Sequence, residues 1–461
     1  MSAAAQEAPA QVLPDVTGPR HDLRGHGLRA VVHSIGSKTV ILALQATTGI
    51  LTARALRPAG RGELAAMILW PLFVASVTTM GVPSSLIYYL RHRPELRAKL
   101  IANGLMMAAL LGVVAAGIAA LALPWWLRQY SASIVSAAEW FLLTVPLCSM
   151  TLAGRAALEA SHDFSSSNAI QILTPFATLI GLMISLGAHH LNPHTAALAY
   201  VAASLPAFVF MLARVRRVGL VTSSLHFDVV RQLLGYGVRS YGIDVLGTLA
   251  LQVDQVLVVS LLTPSAMGSY VVVLSLSRML NLFQNSVVMV LFPKAAGLSA
   301  KEVVKMTGNA VRVSGLVTAV SGVIVCLGGP TLLRLLYGRE YVGAVGAMRI
   351  LVLEVVISGA TFVLAQAFMA LDRPGVVTIL QALGLSLSIP MMLVLIPRYG
   401  IYGAAVSLLT STVARFIFVC IGFRVFLNIQ LPNLLPKGSD IRLLLDAFPK
   451  LRLGRGVGHA S

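Results

Sequence analysis

Long apolar runs recur from Val40 to Phe423, separated by short segments that gather the prolines, glycines and charges. A helix needs roughly 20 mostly apolar residues to cross a hydrocarbon core of about 30 Å, and most of these runs are that long. Lipid offers no hydrogen bonds to backbone N–H and C=O groups, so such runs must satisfy them internally as helices. Composition agrees, with 57% hydrophobic and 11% charged residues where a soluble domain carries about 25% charged. A surface of that composition could not face water.

Splitting the runs at their breaks predicts spans near 38–56, 63–90, 100–123, 136–154, 168–187 and 195–213, then 234–262, 267–292, 308–329, 345–370, 375–396 and 400–423. With the N-terminus inside, inner segments hold about 23 Lys and Arg and outer loops about six, the bias that sets topology. Both termini are therefore expected in the cytoplasm. Trp125 and Trp126, at an outer helix end, suit an interfacial anchor. The net charge of +18 is a topology signal here and does not point to nucleic acid. The first 37 residues lack the pattern of a cleavable signal. Cys148, Cys326 and Cys420 lie inside apolar runs with no metal spacing and read as buried hydrophobes.

A basic stretch divides the spans into six and six, and weak repetition links the halves. Leu56-Arg57-Pro58-Ala59-Gly60-Arg61-Gly62 and Leu262-Thr263-Pro264-Ser265-Ala266-Met267-Gly268 share L-x-P-x-x-x-G, and Ala196-Ala197 echoes Ala404-Ala405. Two lobes in parallel orientation follow, with the paired Pro/Gly turns placed to help them close on the outer side. The expected architecture is an all-α membrane protein of about twelve transmembrane helices in two six-helix lobes around a central cavity. Its parts are a cytoplasmic tail over 1–35, an N-lobe over 36–214, a basic linker over 215–232, a C-lobe over 233–424 and a basic tail over 425–461.

Three segments carry a family resemblance. Ala53-Arg54-Ala55-Leu56-Arg57-Pro58-Ala59-Gly60-Arg61-Gly62 is similar to A-R-x-L-G-P-x-x-x-G, with Arg57 in place of the usual Gly. Gln252-Val253-Asp254-Gln255 followed by Gly268 and Tyr270, and Ile396-Pro397-Arg398-Tyr399-Gly400-Ile401-Tyr402-Gly403-Ala404-Ala405, complete the set. Together they resemble the Wzx-like polysaccharide flippases of the multidrug/oligosaccharidyl-lipid/polysaccharide exporter superfamily (MOP/MATE). The resemblance implies export of an undecaprenyl-diphosphate-linked oligosaccharide across the bacterial cytoplasmic (inner) membrane, without enzymatic chemistry or a cofactor. A polysaccharide polymerase and a chain-length regulator are the protein partners it implies. The alternative is a MATE-type multidrug/cation antiporter, whose cavity should be net acidic. A glycosyltransferase or polymerase would need a large outer domain with catalytic acids, and the outer loops offer none.

A lipid-linked oligosaccharide must shelter a diphosphate and sugars from hydrocarbon, and ionised residues at mid-membrane cost roughly 3 kcal/mol unless they face a cavity or partner. On the first span Lys38, Gln45, Thr48 and Thr52 form a polar stripe; on the eighth, Arg278, Asn281 and Asn285 follow i, i+3, i+7, flanked by Ser277 and Gln284. The seventh adds Asp244, Gln252, Asp254 and Gln255, and the tenth adds Glu354, Ser358 and Thr361. Arg278, with Lys38 or Arg54, is expected to attract the diphosphate. Asp254, Asp244 or Glu354 would balance charge or bind a coupling cation, proton or sodium, unless membrane potential alone drives transport. The competing accounts are structural: Lys38, Arg54 and Arg239 snorkelling from helix ends, and Asp244 and Asp254 pairing with basic neighbours between helices. His189, His190 and His194 flank Pro193 in a short outer loop and read as a surface cluster.

Overall fold

The computed structural model describes residues 23–219, 226–281, 284, 287–288 and 298–434, with side chains from residue 36 onward except 243 and 244. Those residues form fourteen α-helices and no strand: α1 (Leu23–Val77), α2 (Val82–His92), α3 (Arg97–Trp126), α4 (Ala132–Phe141), α5 (Val145–Ala160), α6 (Phe164–Gly187), α7 (Pro193–Ala202), α8 (Ser204–Val218), α9 (Phe227–Leu261), α10 (Pro264–Arg278), α11 (Ala300–Leu332), α12 (Val345–Ala370), α13 (Pro374–Tyr399) and α14 (Ile401–Val425). Large side chains such as Leu121, Trp125 and Leu327 stand more than two-thirds exposed, the surface a lipid solvent requires.

Among the described residues, nine helices are long and apolar enough to cross a membrane, and α9 makes a tenth if its two parts, bent by 54° between Gly242 and Val245, count as one span. The expected number was twelve, and the difference has two local sources. The first two expected spans share α1, which breaks at Arg57 (φ 59, ψ 177), and the second continues through the turn at Thr78–Gly81 into α2. The eighth runs through α10 and then leaves the described residues. The break at Arg57 follows from Pro58, which bars the preceding residue from helical geometry. Its φ and ψ belong to a region that essentially only glycine occupies, and glycine is the residue the resembling motif has there.

Inside lipid there is little hydrophobic drive between helices, so small residues and close approach hold bundles together. Among the described residues, the most extensive helix pairing, α1 with α10, is of this kind. A Cβ built on Gly62 would collide with the carbonyl of Pro264, and one on Gly268 with the carbonyl of Pro58. The repeated L-x-P-x-x-x-G segments therefore pack on each other, backbone to backbone, at the end of the bundle predicted to be outer. Around that crossing, Arg54 donates to the carbonyls of Leu335 and Leu336, Tyr341 OH donates to Ala53 O at 3.1 Å, and Arg57 lies 3.6 Å from Glu340. Trp70, Met67, Tyr270, Met348 and Leu351 share one buried cluster beneath it.

At the opposite end, the first part of α9 lies on α2. Ser85 donates to Leu233 O at 2.8 Å, Tyr88 stacks on Tyr236 at 4.4 Å, and Val229 and Leu233 join the apolar cluster of α2, α3, α5 and α8.

The turns from α5 to α6 and from α12 to α13 are copies. His162 (φ 62) and Asp372 (φ 58) occupy the same left-handed position. Asp163 N donates to Leu158 O at 2.9 Å just as Arg373 N donates to Phe368 O at 2.8 Å, the six-to-one bond of a Schellman helix end. Internal repetition thus extends to backbone hydrogen bonding.

Gly268→Ala should lower the thermal midpoint of the purified protein, because overpacking a close crossing costs about 1–3 kcal/mol. Gly117→Ala, where a Cβ meets nothing, should leave it unchanged, and Arg57→Gly should not lower it.

Candidate functional site

Helices α9, α10, α12 and α14 bring four ionisable residues together within the second half. Asp254, 1% exposed, accepts at Oδ2 from Arg278 Nη2 at 3.0 Å and from Tyr270 OH at 2.8 Å. Arg278 stands at the end of α10, and its long side chain reaches back toward the start of the helix, the direction in which Cα–Cβ bonds tilt. Glu354, on α12, accepts at Oε1 from Thr412 Oγ1 at 2.8 Å, and Arg415 Nη2 donates to the same hydroxyl at 3.1 Å. Glu354 is close enough for the charges of Arg415, Arg278 and Asp254 to act on it. Two carboxylates and two guanidiniums thus alternate across four helices, and the formal charge of the cluster is zero.

Two features keep this cluster from being a closed structural knot. Arg278 retains 31% of its side-chain surface accessible, so donors remain beyond the one spent on Asp254. The second carboxylate oxygen of Asp254, Oδ1, is buried and has no hydrogen-bond partner among the described residues. Isolated buried charge is costly, and a pair with spare capacity on both members can accept a ligand without first being dismantled. A guanidinium with free N–H groups suits phosphate oxygens, which it binds in a fork.

The predicted site residues divide. Arg278, Asp254 and Glu354 come together as one cluster. The structural account of Asp254, pairing with a basic neighbour, and the functional account of Arg278 meet in the same bond. Asn281 is half-buried one turn beyond Arg278 and Gln255 is half-buried beside Asp254; among the described residues no hydrogen bond joins either to the cluster. Gln284 is buried, donating to Val355 O at 3.2 Å. Asn285 and the side chain of Asp244 lie outside the described residues.

On α1, Lys38 and Gln45 are exposed, whereas Thr48 and Thr52 are buried and donate to their own helix. Arg54 is spent on the carbonyls that close the crossing. Tyr270, Thr412 and Arg415 were not expected as partners. The signal for them was the spacing: Thr412 and Arg415 sit at i, i+3 on one face, and an arginine inside an apolar run demands a partner.

Comparison with known proteins was decisive for the family. The family model described as polysaccharide biosynthesis protein matches residues 51–346. The chain belongs to that family. The matched stretch runs from just before the α1 break through Asp254, Tyr270 and Arg278, and ends before Glu354.

Among solved structures, the lipid II flippase MurJ in an inward closed conformation is 13% identical, with a TM-score of 0.72 over 92% of each chain. An inward-facing multidrug resistance MATE family transporter of the MOP superfamily is 12% identical, with a TM-score of 0.67 over 84% of this chain and 94% of that one. An outward-facing transporter of the same description gives 13%, 0.61, 87% and 95%. These likenesses establish the fold, that of multi-pass MOP transporters and flippases. No curated protein matches the sequence.

Removing one member of the cluster's ion pair should cost more than removing both. Asp254→Ala is expected to lower unfolding stability by up to about 3 kcal/mol by leaving a guanidinium unpaired, while Asp254→Leu with Arg278→Met loses less. A double-mutant cycle in denaturant measures the difference.

Proposed function

We propose that this protein carries an undecaprenyl-diphosphate-linked oligosaccharide from the inner to the outer leaflet of the bacterial cytoplasmic membrane, by alternating access between its two halves. The observation that carries the reading is Arg278: an arginine at the end of α10, held by the buried Asp254 and still partly accessible, in a chain of the polysaccharide biosynthesis family. Of the proposed substrate, only the diphosphate and sugars need shelter, while the polyprenyl tail is at home in lipid. The diphosphate would be drawn to the N–H groups of Arg278 that Asp254 leaves free, with the ion pair kept as the fixed base of the site.

In this reading both termini are cytoplasmic, the protein transports without catalysing a reaction, and a polymerase and chain-length regulator use the glycan it delivers. Asp254 and Glu354 are the groups through which a proton or sodium gradient would act, and membrane potential is the alternative drive. The Gly62–Gly268 crossing, at the predicted outer end, is the contact that must part to release the headgroup.

A second reading, export of cationic compounds, is favoured by the unpartnered Oδ1 of Asp254, a buried acceptor for a cation. One experiment separates the two. Fluorescent undecaprenyl-diphosphate sugar should be flipped in proteoliposomes by the unaltered protein and at least about tenfold more slowly by Arg278→Ala, since a charged hydrogen bond contributes roughly 1.5–3 kcal/mol. Export of a cationic dye against a proton or sodium gradient, with no movement of the lipid-linked sugar, would replace the first reading by the second.

A further inference from the structure

Each half contains a cavity, and the two are copies that have diverged. In the first half a cavity of about 280 Å³ lies between the later part of α1 and helices α5 to α8. In the second half a cavity of about 80 Å³ lies among α12, α13 and α14. Their walls correspond at an offset of 210 positions: Cys148 with Ser358, Thr151 with Thr361, and Gln171 with Gln381. It is the offset of the two copied turns.

The divergence explains the difference in size. In the second half Arg415 fills the space, packed so closely on Gly384 that a Cβ there would collide with its side chain. In the first half the corresponding helix carries Ala207, aligned through the buried Ala196-Ala197 and Ala404-Ala405 pairs, and the position of Gly384 holds Thr174. The arginine of the first-half cavity, Arg155, enters from α5 and is tethered at the wall by Glu159 at 3.5 Å and Ser167 at 3.4 Å. The small residue at 207 thus leaves open what Arg415 closes.

The open cavity has polar groups without partners. The side chains of Gln171 and Tyr200 make no hydrogen bond among the described residues, and Pro175 has no N–H to give to the main-chain carbonyl of Gln171. By contrast the hydroxyls of Thr151 and Ser204 donate back to their own helices. Gln171 and Tyr200 therefore line the cavity with side-chain hydrogen-bonding capacity to spare, beside the apolar walls of Ile68 and Leu72. Leu72, on the cavity wall, is 54% exposed. Small-ligand pockets run from roughly 300 to 1,000 Å³, apolar with a few convergent polar groups; this one holds a single ring, not an oligosaccharide.

We propose that the first-half cavity seats one sugar ring of the transported headgroup, its hydroxyls bonded by Gln171, Tyr200 and Arg155 and its apolar face against Leu72. This rests on the flippase reading and adds to it a place where glycan identity is read, in the half opposite the Asp254–Arg278 pair. The second-half copy, closed by Arg415, has lost that role.

The test compares transport of two lipids in proteoliposomes, the lipid-linked oligosaccharide extracted from the source cells and undecaprenyl diphosphate without sugar. Gln171→Leu keeps the side chain's size and removes its hydrogen bonds, and Ala207→Met fills the cavity. Both should lower the ratio of glycosylated to sugar-free transport by about tenfold, the effect of leaving a built polar site unmatched. In protein carrying Cys326→Ser and Cys420→Ser, the glycosylated lipid should also slow reaction of Cys148 with methyl methanethiosulfonate, and undecaprenyl diphosphate should not.

An unchanged ratio in both well-inserted variants would overturn the assignment. Equal protection of Cys148 by the sugar-free lipid would overturn it too, and would give the cavity to the polyprenyl chain. Failure of the unaltered protein to move either lipid would instead bring down the flippase reading, and this inference with it.

Discussion

Two bundles of apolar helices have little hydrophobic reason to associate in a bilayer, because the lipid is as apolar as their side chains. The Gly62–Gly268 crossing supplies what the solvent does not. There the backbones of α1 and α10 touch, and the surrounding bonds from Arg54 and Tyr341 reach carbonyl groups of the opposite half. Everything deeper depends on that register. Tyr270, two residues past Gly268, lies under the crossing and holds Asp254, and Arg278 follows two turns later on the same helix. In the account proposed here this crossing is the contact that opens, and parting it would also break the bonds of Arg54 and Tyr341.

The second organising fact is duplication followed by exchange of charge. Turns and cavity walls repeat at a fixed offset, yet the interior charges do not. Asp254, Arg278, Glu354 and Arg415 belong to the second half, while the first-half cavity keeps a single tethered arginine. In the account proposed here the halves divide the headgroup, the charged half taking the diphosphate and the open-cavity half a sugar.

Much of this was legible in the sequence, and the boundary of legibility is physical. Span positions follow from hydrophobic length, and the repeated Pro/Gly segments visible in the sequence are the ones that pack on each other. Arg278 stood out because a charge inside an apolar run is expensive. Partners were harder, since Asp254 and Arg278 are joined by helix packing that no local period encodes, and Thr412 reaches Glu354 from a helix 58 residues further on. Arg54 looked like a diphosphate cation and is engaged with the carbonyls of Leu335 and Leu336, which are exposed as acceptors because the chain between α11 and α12 leaves regular helical geometry there. Gln171 gave no signal, being one of several polar residues on α6, and its significance comes from its place on the cavity wall and from the absence of bulk at Ala207.

The central claim is that a polyprenyl-diphosphate glycan is the cargo and that Arg278 holds it. The most direct measurement is mass spectrometry of the lipids retained by the protein when it is extracted from its own membrane into native nanodiscs. The account predicts a polyprenyl-diphosphate glycan enriched with the unaltered protein and depleted with Arg278→Ala. Absence of any such lipid, or equal retention by both proteins, would contradict it.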